Sequence, residues 1–109
     1  TECARELGGP AKFWDFANMV FERQREGLGS PLFLRVASTI GLDSAAFSSC
    51  LQSGKYNDLI DQHVKDAFSA GAQGTPYSVL IAADGSTTVI NGAEPYASVK
   101  QKIEQALGK

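Results

Sequence analysis

A single β-hairpin signature in an otherwise helical sequence sets the tightest limit on the fold. Tyr77-Ser78-Val79-Leu80-Ile81 and Thr87-Thr88-Val89-Ile90 are β-rich runs, and Asp84-Gly85 between them is the strongest hairpin dipeptide in the chain. Two antiparallel strands are marginal in water unless a further strand or a helical layer covers them. The chain must therefore pack this hairpin on its own helices or offer a strand edge to a sheet completed by residues outside this sequence. Either way the fold class is α+β.

Glycine and proline cut the remainder into helices. Glu2 to Leu7 has helix-forming composition and reads as the last turns of a helix, stopped by Gly8, Gly9 and Pro10. A helix this short is marginal alone, so its place at the start of the chain is read as a sign of a longer parent. Ala11 to Arg25 carries Phe13, Phe16, Ala17, Val20 and Phe21 at amphipathic spacing. Ser30-Pro31 opens a helix to about Thr39. Asp43 caps the next helix, Ser44 to Ser53, with Ala46, Phe47, Cys50 and Leu51 on its apolar side. Lys55 to Ala70 places Tyr56, Leu59, Ile60, Val64, Ala67 and Phe68 on one face. After the hairpin, Asn91-Gly92 turns the chain, and Glu94-Pro95 starts a last helix with a buried stripe of Val99, Ile103, Ala106 and Leu107.

Composition removes several classes of function. A formal net charge of −2, with Lys and Arg scattered singly, supplies no basic stripe for nucleic acid or an anionic membrane. No apolar run approaches the roughly 20 residues of a membrane helix, and the N-terminus lacks the pattern of a signal peptide. Cys3 and Cys50 exclude a C-x-x-C pair and a four-cysteine zinc site, and their spacing leaves a disulfide and two free thiols equally open.

The remaining residues give no complete catalytic constellation. Gly74-Thr75-Pro76 joins a helix to a strand, and a proline at that place is first of all a strand initiator. The functional alternative is a cis Thr75-Pro76 bond that leaves the preceding backbone free to pair with an extended peptide. Cys50 on an apolar helix side reads as a small hydrophobe. Cys3, near a helix C-terminus whose dipole disfavours a thiolate, is no activated nucleophile, so a structural bridge suits an oxidising compartment. His63 has no second ligand at helical spacing. Phe13 and Trp14 suit packing better than a ligand cage, and Asp58, Asp61 and Asp66 form a solvated face. No metal or cofactor is expected.

Taken in order, Glu2-Cys3-Ala4, Lys12-Phe13-Trp14-Asp15-Phe16, Phe21-Glu22, Gly41-Leu42-Asp43 and Cys50-Leu51-Gln52-Ser53-Gly54-Lys55-Tyr56 resemble the helical insertion of DsbA-like thiol–disulfide oxidoreductases. Gly71-Ala72-Gln73-Gly74-Thr75-Pro76 is similar to the family's cis-proline loop, and Asn91-Gly92-Ala93-Glu94-Pro95-Tyr96 with Val99 and Ile103 to its closing hairpin and last helix. The resemblance covers essentially the whole chain. It implies a partial thioredoxin-like fold, with residues 1–71 as a helical insertion of four to five helices and 72–109 as the C-terminal ββα part. The family's opening strand, C-x-x-C helix and following strand have no counterpart, so the resemblance implies the C-terminal two-thirds of such a protein, redox-inactive alone.

Carried over residue by residue, Pro76 resembles the proline that faces the active disulfide and Thr75 the residue whose backbone bonds a substrate. Cys3 and Cys50 resemble a non-catalytic disulfide of some members. The implied partners are cysteine-containing proteins or peptides, and the implied location is the periplasm or cell envelope. A rival from another class is a non-catalytic peptide-binding module, or one that forms a homodimer through its exposed strand edge.

Overall fold

Gly8, Gly9 and Pro10 break the first helix for one residue only. Gly9 takes φ 81° and ψ −176°, a conformation that a side chain disfavours, and Pro10 restarts the helix at the position where its missing N–H costs nothing. In the computed structural model, which describes residues 1–109, α1 (Glu2–Arg23) is thus two helical stretches, 2–8 and 10–23, joined at a kink. A 3-10 turn follows at Gln24–Glu26, then α2 (Ser30–Thr39), with Pro31 in its first turn, and α3 (Ser44–Ser53). Asp43 caps α3 as expected, its carboxylate accepting the Ala46 N–H at 2.7 Å. Helix α4 spans Asn57–Ser69, so Lys55 and Tyr56 lie in the turn before it rather than in the helix.

Two compact units divide the chain within α4, at 1–60 and 61–109. The first owns the core. Ala4, Phe16, Leu32, Val36 and Phe47 are buried around the Cys3–Cys50 bridge, and the Phe16 and Phe47 rings lie 5.3 Å apart at a 35° tilt. Each of the buried Phe, Leu and Val side chains contributes about 1.5–3 kcal/mol through loss of water contact. Phe21, expected on the apolar stripe of its helix, is instead exposed, because α2 and α3 pack along the face of α1 that carries Phe16.

The second unit has secondary structure without a buried residue. Strands β1 (Tyr77–Ile81) and β2 (Thr87–Asn91) pair antiparallel from Tyr77 opposite Asn91 to Ile81 opposite Thr87, with the Asp84-Gly85 turn between them. Helix α5 (Tyr96–Ala106) packs against both strands. Leu80 and Ile90, on one face of the sheet, are half-buried, whereas Val79, Ile81 and Val89 on the opposite face are 45%, 70% and 41% exposed. The expected buried stripe of α5 is accordingly corrected: Val99 and Ala106 are half-buried, while Ile103 and Leu107 remain exposed. Two strands are too narrow a platform to cover a whole helix face. Val64 and Phe68 of α4 are exposed as well.

Candidate functional site

The segment from Gly71 to Pro76 connects α4 to β1, and hydrogen bonds hold both of its ends. At the helix end, the Gly71 and Ala72 N–H groups donate to Phe68 and Ala67 carbonyls at 2.9 and 3.0 Å. The Tyr77 hydroxyl donates to the Ala70 carbonyl at 2.7 Å. Gly71 is required twice over there: its φ is 96°, and a Cβ would stand 3.0 Å from the Tyr77 hydroxyl oxygen. At the strand end, Pro76 accepts the Gly92 N–H through its carbonyl at 2.9 Å. The Thr75-Pro76 peptide is cis.

Between these anchors Thr75 is exposed, and neither its N–H nor its C=O has a partner within the chain. Exposed backbone groups held in place by their neighbours can add an extended peptide through main-chain hydrogen bonds. Thr75 and Pro76 are thus adjacent in a held loop, with no titratable side chain among the residues 71–76.

Cys3 and Cys50 are joined, S–S 2.08 Å, with Cα atoms 5.9 Å apart. Both are buried, and no free cysteine remains in the chain. Cys3 sits in the first turn of α1, which corrects its placement near a helix C-terminus: the helical composition of residues 2–7 continues across the Gly9 kink. His63 is exposed on α4, and no group of His, Cys, Asp or Glu is arranged to hold a metal ion.

Two polar clusters escape a reading by sequence. Glu6 accepts from Lys55 at 2.6 Å and from the Tyr56 hydroxyl at 2.5 Å, and those two bonds hold its carboxyl below the usual range. Glu94 accepts from Lys102 at 2.6 Å, Ser98 at 2.6 Å and the Asn91 N–H at 3.1 Å. Led by the Lys102 bond, these pull its pKa from 4.5 to about 2. The Ser98 spacing of i+4 was visible in the sequence; the Lys102 contact needed the geometry of the β2–α5 connection.

Compared with known families, the model of the DSBA-like thioredoxin domain matches residues 4–104. Neither a curated protein nor a solved structure matches the chain.

Proposed function

The chain belongs to the DSBA-like thioredoxin domain family, a thiol–disulfide oxidoreductase family, and from that premise we propose that it supplies the substrate-docking part of an extracytoplasmic oxidoreductase. The single observation that carries the reading is the free N–H and C=O of Thr75, held exposed beside Pro76. An extended, cysteine-containing protein or peptide substrate pairs with Thr75 by strand addition. The redox cysteines come from a C-x-x-C segment outside these 109 residues.

In the complete reaction a substrate thiolate attacks one sulphur of the C-x-x-C disulfide. A mixed disulfide forms and the second cysteine of the motif leaves as a thiolate. The substrate's other thiolate then attacks the substrate sulphur of the mixed disulfide, so the substrate dithiol ends oxidised and C-x-x-C reduced. Thr75 and Pro76 orient the substrate and exchange no electrons. Exposed Val64, Phe68, Val79, Ile81 and Val89 support the reading as apolar surface for the rest of a thioredoxin-like fold to cover. The Cys3–Cys50 disulfide suits an oxidising compartment such as the periplasm or cell envelope.

The test is a thiol-oxidation and insulin-reduction assay on this chain beside a version extended through upstream coding sequence. Activity confined to the longer form supports the proposal. Inactivity in both, with retained binding of an extended peptide, moves the assignment to a non-catalytic peptide-binding module.

A further inference from the structure

The two outer edges of the hairpin are not equivalent. In an antiparallel ladder, residues whose N–H and C=O both face the partner alternate with residues whose groups face outward. The Gly92 N–H to Pro76 O and Ala82 N–H to Ser86 O bonds place the inward set at Pro76, Ser78, Leu80 and Ala82. The outward set is therefore Tyr77, Val79 and Ile81 on β1, and Thr87, Val89 and Asn91 on β2.

Along β1 none of these outward groups has a partner within the chain. Along β2 two are occupied by side chains. Lys102 Nζ, reaching back from α5, donates to the Val89 carbonyl at 2.9 Å, and Glu94 Oε1 accepts the Asn91 N–H at 3.1 Å. Lys102 and Glu94 bind each other at 2.6 Å, and Ser98 Oγ holds the other Glu94 oxygen at 2.6 Å. The charged pair thus lies against the middle and one end of the strand.

We infer that the Glu94–Lys102 pair is an edge guard, which keeps β2 from adding the β2 strand of a second copy of this chain. A five-residue strand with Val89 at its centre is self-complementary: about a two-fold axis midway between two such strands, two copies pair antiparallel with each Val89 opposite the other. Lys102 occupies the carbonyl such a ladder needs, and pairing would bring two copies of each charge together. Charged side chains set against a strand edge, lysine above all, are a recognised way of protecting it. This inference concerns β2 and is independent of what Thr75 binds.

The experiment uses the full 109-residue chain, comparing wild type with the double variant Glu94→Gln/Lys102→Met and the conservative Lys102→Arg. Sedimentation across a concentration series reads association, and amide hydrogen exchange reads its place. The double variant is expected to associate at least about tenfold more tightly than wild type, a factor that corresponds to about 1.4 kcal/mol. The Thr87 and Val89 amides should gain protection with concentration, while Lys102→Arg stays at the wild-type level. Unchanged association with the Ser78 and Leu80 amides still protected overturns the inference. So does tighter association that leaves Thr87 and Val89 exchanging freely. Loss of Ser78 and Leu80 protection without association overturns it too, since the pair would then only brace the hairpin.

Discussion

Replacing Cys3 and Cys50 together by alanine tests how the first unit is held. The bridge joins positions 47 apart in sequence, and in the chain-entropy model a loop of that length removes about 4 kcal/mol of freedom from the unfolded chain at 25 °C. Other contacts also hold the 2–8 stretch: Ala4 is fully buried, and Glu6 binds Lys55 and Tyr56. Those bonds lie at the surface and contribute little by comparison, so the cross-link is the dominant tie. The cysteines are only 8% and 7% exposed, which means the alanine pair loses packed sulphur as well. Reduced wild type keeps that sulphur and isolates the cross-link term. Urea unfolding followed by far-UV circular dichroism, with and without reductant, should show reduction costing about 4 kcal/mol and the alanine pair somewhat more. The denaturant slope should steepen, because the uncrosslinked chain exposes more surface when unfolded. Against the roughly 5–15 kcal/mol of an ordinary domain, that loss leaves little. A loss below about 1 kcal/mol would refute the reasoning, because it would show the 2–8 stretch to be held by packing alone.

Phe47, 1% exposed and stacked beside Phe16, should cost about 3–5 kcal/mol as Phe47→Ala in the same unfolding assay. Asp43→Ala removes the cap on the Ala46 N–H and should cost about 1 kcal/mol, with Asp43→Ser restoring most of it. Glu94 is a carboxyl whose pKa falls from 4.5 to about 2 on folding, so its contribution is complete above pH 4.5 and is lost as pH falls towards 2. The protection factor of the Asn91 amide, which Glu94 binds, should fall as pH drops through that window in wild type and show no such step in Glu94→Gln.

How far the sequence foretold the structure depended on whether a signal was local. Asp84-Gly85 between β-branched runs placed the hairpin, Asp43 placed a helix start, and Gly8-Gly9-Pro10 placed a helix stop that the structure reduces to a kink within α1, because caps and turns act through a few neighbouring residues. Burial on α5 was misjudged. Periodicity shows which face of a helix is apolar, whereas burial depends on how much surface stands opposite, and the second unit offers two strands only. Glu94 with Lys102 and Glu6 with Lys55 and Tyr56 were invisible, since each needs tertiary geometry to bring its members together. At the candidate site, the residues Gly74-Thr75-Pro76 read first as a strand start, with peptide docking at a cis bond as the rarer alternative, and only the resemblance favours the second. Which backbone groups stay free is a question about partners, and one chain's sequence does not state it.

The docking role proposed for the Thr75-Pro76 loop sets two requirements in conflict. The loop's backbone must stay unpaired to receive a peptide, yet unpaired backbone loses the hydrogen bonds that would order it. In this chain the ordering bonds fall on either side of Thr75. Gly71, Ala72 and the Tyr77 hydroxyl tie the start of the loop to the end of α4, and Pro76 ties its end to Gly92. None of these four bonds uses a Thr75 group, so filling that site need break none of them. The second unit, which has no buried residue, cannot order the loop through a core. Local hydrogen bonding has to do so instead, and that explains why a glycine able to reach φ 96° and a tyrosine whose hydroxyl bonds the Ala70 carbonyl both stand within a few residues of Thr75.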